Sequence, residues 1–217
     1  MTQKTLLAKN QKVSKIQTSV PPTDDLLLHD VIKNSYAKNK AKSMKGYNLD
    51  EKLSNHNQQV YYNPNDKKLL YSVTGTHRTN WLDFHDIGTD IALGAGHLKD
   101  TARYKEADRT LKLAKQKYGV NKASIAGHSL GGAIAGYIGN PDVDSIYTLD
   151  KGATVGQSIR KNENAYRTKG DAISFINAND PNMKNLINPN QQTGHSIKDA
   201  IKAHNVSNIK NNNIHVV

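Results

Sequence analysis

Apolar positions recur at helical spacing early in the chain. Leu27, Val31 and Ser35 share one face within DLLLHDVIKNSYAKNKAKS, which predicts a helix starting near Leu26. Thr23 or Asp24 is placed to cap it, and Gly46 and Asn48 break it. The period then shortens. Runs at 59–62 and 67–74 flank Asn63-Pro64-Asn65-Asp66, whose composition is that of a tight turn, so a β-hairpin is expected at one side of a sheet. Helical period returns over 101–118, with Ala107, Leu111 and Ala114 on one face and Gly119 closing the segment. A short buried strand follows at 123–126 and leads into Gly127-His128-Ser129-Leu130-Gly131-Gly132. A small-residue helix at 133–138 ends at Gly139-Asn140-Pro141. Further strands are expected at 143–149 and 172–176, and a short helix at 196–204.

Alternating strands and helices are the rhythm of an α/β fold with a mainly parallel core sheet. The chain shows no internal repeat and no linker that would divide it. An extended basic arm over residues 1–22, ending in Pro21-Pro22, a single α/β domain over 23–207 and a C-terminal tail over 208–217 are expected. No run approaches the roughly 20 apolar residues of a membrane span. The N-terminus has basic residues but no apolar core and cleavage site of a secretory signal, so an intracellular location is expected.

Hydrophobic residues make up 36% of the 217, well above a disordered composition. The absence of cysteine removes disulfides, cysteine-ligated metals and a cysteine nucleophile from consideration. Thirty basic against 19 acidic residues give a net charge of +11, which favours an anionic membrane surface or an acidic protein partner, with the basic N-terminal arm as the natural contact. Lysine greatly outnumbers arginine and is spread along the chain rather than gathered with aromatics, so specific nucleic-acid recognition is not expected.

Chemistry concentrates at Gly127-His128-Ser129-Leu130-Gly131, a G-x-S-x-G element between a short apolar strand and a small-residue helix. In a nucleophile elbow the serine occupies a sharp, strained turn, and the flanking glycines let strand and helix approach closely. The plainer reading is a Gly-rich turn in an inactive α/β domain. A serine hydroxyl needs a base, and the chain order on such a sheet is serine, acid, histidine. Asp150, at the carboxyl edge of the next strand, and Asp171, after Gly170, both remain open as the acid. Among the histidines, His195 follows a glycine and opens a helix, His204 ends that helix, and His215 sits in the tail; position favours His195 over His204. The oxyanion formed in acyl transfer needs donors, which the Leu130 amide and the Gly75-Thr76 strand end can supply. His128 precedes the nucleophile and is expected to serve as a packing or hydrogen-bonding residue. Asp83, His85, Asp86, Asp90 and His97 fit no metal-ligand spacing, and no metal or cofactor is expected.

Taken together, LLYSVTGTHRTNWLDFHDIGTD, SIAGHSLGGAIAGYIG, YTLDKGATVG, RTKGDAISF and TGHSIKDAI resemble the class 3 lipase family of the α/β-hydrolase fold over about residues 25–203. Gly75, Thr76, Trp81, Leu82 and Asp83 match the family's first motif. The resemblance implies a mainly parallel sheet with helices on both faces. It also implies Asp171 as the acid, from the Gly-Asp-x-Ile pattern, and His195 as the base, from His-Ser-Ile. Thr76 falls on the family's oxyanion residue. The chain departs from the secreted members in its shorter length, its lack of cysteine and its lack of a plain amphipathic lid; the apolar stretch 87–98 is the candidate cover. Compact relatives of this kind look like those of large DNA viruses and phages, which brings in association with a virion.

The function this implies is a serine esterase or lipase acting on carboxylic esters of lipids, a phospholipase among them, through an acyl-enzyme on Ser129. The alternative is a catalytically silent lipase-like domain with a structural or membrane-docking role in a larger particle.

Overall fold

A computed structural model describes residues 23–76, 96–152, 158–171, 173–187, 199, 203–206 and 215–216. The basic arm over 1–22, most of the apolar stretch 87–98 and His195 lie outside them. Helix α1 spans Thr23–Ser35, so it begins earlier than the capping residues suggest, and Asp24, Asp25 and Lys33 oppose its dipole.

Strands β1 (Ser43–Met44) and β2 (Tyr47–Leu49) form a hairpin absent from the sequence-based expectation. Its two-residue loop is Lys45 at φ 46° and Gly46 at φ 86°, the paired positive values of a type I′ turn. Gly46, expected only to break a helix, instead makes this turn.

The expected hairpin is β3 (Gln58–Asn63) with β4 (Lys68–Val73), antiparallel in register from Gln58–Val73 to Asn63–Lys68. Its loop is organised by the Asn63 side chain, which accepts hydrogen bonds from the amides of Asn65 and Asp66 at 3.0 and 3.3 Å.

Helix α2 (Ala102–Tyr118) follows, with Thr101 accepting from the Tyr104 amide as N-cap and Gly119 at φ 63° as C-cap. Then come β5 (Ala123–His128), helix α3 (Leu130–Ile138) and β6 (Ser145–Leu149). Strands β7 (Glu163–Thr168), β8 (Met183–Ile187) and β9 (His215–Val216) complete the sheet. Among the described residues the strand order is the chain order, β1 through β9, parallel from β4 to β8 and antiparallel at both ends.

This order places the helices. Successive right-handed crossovers that advance in one direction put their helices on one face, so α2 and α3 lie together. Ala107, Leu111 and Ala114 of α2 pack with Ile134 and Ile138 of α3 on Val60, Leu69, Tyr71 and Ile125. Helix α1 covers the opposite face, where Leu28, Val31 and Ile32 meet Tyr61, Leu70, Ala126, Tyr147 and Tyr166. The two lists alternate along β3, β4 and β5, as a sheet buried on both faces requires. The fold is therefore α/β, a mainly parallel sheet with helices on both faces and hairpins on its N-terminal side.

The strand expected at 172–176 is not one. Past Gly170, at φ 89°, the chain turns into a short 3-10 helix, Ser174–Asn177. Beside β6 runs Glu163–Thr168, whose polarity hid it. Its buried charges have partners, with Lys151 Nζ at 2.9 Å from Glu163 and Arg167 donating to the Asp171 carbonyl at 3.2 Å. No helix among the described residues is long and apolar enough to cross a membrane.

Candidate active site

Strand β5 ends at His128 and α3 begins at Leu130, which leaves Ser129 alone in the turn at φ 57°, ψ −128°. An L-residue held there costs about 1–3 kcal/mol and persists only where its surroundings fix it. The Ser129 amide donates to the Leu149 carbonyl at 3.2 Å, and its carbonyl accepts from Gly152 at 3.0 Å and Ala133 at 3.1 Å. The flanking glycines are steric necessities. A Cβ on Gly127 would lie 2.3 Å from the Gly131 carbonyl oxygen, and one on Gly131 would lie 2.2 Å from that of Val73. Gly132 packs its α-carbon side against Lys151, the residue after Asp150.

The loop after β4 reaches the same turn. A Cβ on Gly75 would lie 3.1 Å from the Ser129 Cβ. The Gly75 amide donates to the Tyr36 hydroxyl at 2.9 Å, so it is engaged, and half-buried Thr76 comes next. Arg103 of α2 holds the other side of this loop through the Thr74 carbonyl. Across the turn, Leu130 is the first residue of α3, so its N–H stands outside the intrahelical ladder.

Asp171 follows Gly170 beyond β7 and is buried. One of its carboxylate oxygens is 2.9 Å from Nδ1 of His204, also buried, and accepts from the Ile173 amide at 3.2 Å. The other accepts from the amide and hydroxyl of Ser174. Burial works against the charge on Asp171, yet the facing His204 and the Ser174 donors bring it below the usual carboxylate range. Burial also disfavours a charged His204, and the Asp171 carboxylate overcomes this and raises the imidazole above its ordinary value.

Asp150, at the end of β6 with φ 45°, is the other acid left open by spacing. It lies near the same histidine, but its oxygens take the Thr168 amide and hydroxyl at 2.5 and 2.8 Å. Burial and the neighbouring Asp171 charge push its carboxyl up to about 7. The structure thus brings Asp150, Asp171 and His204 together and pairs Asp171 with His204.

His128 is a buried hydrogen-bonding residue. Its Nδ1 is 2.7 Å from the Tyr36 hydroxyl, its Nε2 is 2.9 Å from the His204 carbonyl oxygen, and its ring centroid is 4.7 Å from that of His204. Burial, with His204 nearby, lowers it to about 3, so it is neutral. Donor atoms of His128, Asp150 and His204 come within 4.8 Å of one another, the spacing of a metal set. The His128 nitrogens and the Asp150 oxygens are engaged by Tyr36, the His204 carbonyl and Thr168, so this cluster is a hydrogen-bonded one. His97 is exposed beside Asp100 at 3.4 Å; Asp83, His85, Asp86 and Asp90 lie outside the described residues.

Tyr36, Thr168 and Ser174 went unread in the sequence. Only Ser174 carried a signal, since an aspartate side chain commonly accepts from a backbone amide two or three residues on.

No family model matches the chain, and no curated protein matches it. Among solved structures it is similar to the Lip2 lipase of Yarrowia lipolytica, with a TM-score of 0.50 and 13% identity over 92% of this chain and 86% of that one. It is also similar to Rhizomucor miehei lipase in its propeptide complex, with a TM-score of 0.50 and 11% identity over 92% and 73% of the two chains. At such identities the likeness is one of fold, and the fold is that of an α/β-hydrolase.

Proposed function

We propose that the protein is a serine esterase or lipase in which Ser129 is the nucleophile, His204 the general base and Asp171 the acid that orients it. The observation that carries this is the buried Asp171–His204 hydrogen bond, with the His204 ring 4.7 Å from that of His128, the residue before a serine at positive φ in a glycine-flanked turn. His204 takes the role for which position favoured His195, because it is the histidine on Asp171.

With Nδ1–H donated to Asp171, the Nε2 lone pair accepts the Ser129 hydroxyl proton as Oγ attacks the ester carbonyl. The tetrahedral oxyanion is stabilised by the amides of Leu130 and Thr76. Collapse breaks the ester C–O bond, and the imidazolium returns its proton to the leaving alkoxide. Water, deprotonated by His204, then attacks the acyl-enzyme and releases the acid with Ser129 restored. The substrate class is a carboxylic ester of a lipid, and the net positive charge favours presentation of that ester at an anionic surface.

Hydrolysis of p-nitrophenyl esters from acetate to palmitate, free and in anionic micelles, tests this. Wild type is expected to turn over, Ser129→Ala and His204→Ala to lose at least about 10³-fold, and His195→Ala to stay near wild type. Loss in His195→Ala with retention in His204→Ala would reverse the base assignment. Equal rates for wild type and Ser129→Ala under every condition would replace hydrolysis by the docking role.

A further inference from the structure

Four groups from four parts of the chain stand in hydrogen-bonding sequence around the candidate site. The Gly75 amide is 2.9 Å from the Tyr36 hydroxyl, that hydroxyl is 2.7 Å from His128 Nδ1, and His128 Nε2 is 2.9 Å from the His204 carbonyl oxygen. The two ends fix the direction of all three bonds. A backbone N–H only donates, so Gly75 donates to the Tyr36 oxygen. A backbone carbonyl only accepts, so His128 holds its hydrogen on Nε2 and donates to His204. Nδ1 is then an acceptor, and the Tyr36 hydroxyl hydrogen belongs to it. Each donor is used once, and the arrangement needs a neutral imidazole, in keeping with the depressed basicity of His128.

We propose that Tyr36 and His128 are positioning residues that lock the oxyanion loop after β4 to the backbone of the histidine base. This rests on the proposed serine hydrolase, and it adds what keeps donor and base in register. The loop and His204 are separated by the whole β5–β8 half of the sheet in sequence, and this relay bridges them directly. Gly75 is part of the device, because a Cβ there would lie 2.3 Å from the Tyr36 oxygen and displace it. A donor misplaced by about 1 Å costs on the order of 10²-fold in rate, so such a lock falls on turnover rather than on substrate binding.

The test compares wild type with Tyr36→Phe, His128→Gln and the double variant in the full-length chain, on one p-nitrophenyl ester. Rates are expressed per active site titrated with a fluorophosphonate. Tyr36→Phe is expected to lower kcat about 10- to 100-fold with KM near wild type. His128→Gln, whose side-chain amide can still donate to the His204 carbonyl but offers Tyr36 a changed partner, is expected to lose less. The double variant should be no worse than Tyr36→Phe, since both break one chain of bonds. A merely structural role would lower the number of titratable sites and leave kcat per site unchanged; that result, or multiplicative losses in the double variant, overturns the proposal. Should Tyr36→Phe fail to fold, kcat per site in His128→Gln decides, a value within twofold of wild type counting against it. Ser129-dependent turnover in wild type with no change in the variants would sink the relay alone, whereas turnover independent of Ser129 would remove both readings.

Discussion

The carboxylate of Asp171 and Nδ1 of His204 are 2.9 Å apart, both buried, and each holds the other's charged form. The lowered acid contributes stability above its ordinary value near 3.9 and loses it as pH falls. The raised histidine contributes below its ordinary value near 6.5 and loses it as pH rises. The pair therefore stabilises the fold most between about pH 4 and 6.5, whereas a general base must be neutral.

Activity is accordingly expected on the alkaline side of that window. The rising limb of kcat/KM against pH should have its midpoint above about 6.5, and Asp171→Asn should move it down while lowering kcat about 10³–10⁴-fold. A midpoint that does not move in Asp171→Asn would show that another group governs the limb.

Ser129 sits at φ 57°, where glycine is at ease. Ser129→Gly should unfold at a higher temperature than Ser129→Ala by the equivalent of about 1 kcal/mol, with both inactive. Thermal melts of the two proteins side by side check this, and equal midpoints would argue that the turn is not strained.

Asp150 has its carboxyl raised to about 7 by burial and by the Asp171 charge. The sign follows from this: stability is present at low pH and lost as pH rises through the raised value, because the buried group must ionise. Asp150→Asn resembles the protonated acid and can still meet Thr168, so its melting temperature should decline less than that of wild type between pH 5 and about 9. Parallel declines would contradict the raised value.

Lys151 and Glu163 form an ion pair whose side chains are 1% and 0% exposed. Lys151→Met strands a buried carboxylate and should cost about 3–5 kcal/mol in urea unfolding. Adding Glu163→Leu should recover most of that loss. A double variant as unstable as the single would locate the cost in packing instead.

Local signals were readable at several places where one face or one turn decided the outcome, though not at the Lys45-Gly46 turn. Leu111 and Ala114 repeat at helical spacing, Asn63 chelates its own turn, and the glycines around Ser129 answer contacts as short as 2.2 Å. Polarity concealed β7, because Glu163 and Arg167 find partners in Lys151 and in the turn carrying Asp171. Position along the chain favoured His195 over His204, and the hydrogen bond between His204 and Asp171 is a three-dimensional relationship that spacing does not carry. Tyr36 carried no signal either: an aromatic just past a helix end reads as packing until the loop it holds is in place.

Because the described strands follow chain order across the sheet, a ribosome delivers each of them to an edge that the previous one has just formed. The sheet can grow in the sequence of synthesis, without waiting for a distant segment to be inserted between strands already paired. Under the proposed roles, the nucleophile emerges first, the acid some forty residues later and the base only after β8. A nascent chain thus carries its serine through the next 75 residues of synthesis without the histidine that would arm it.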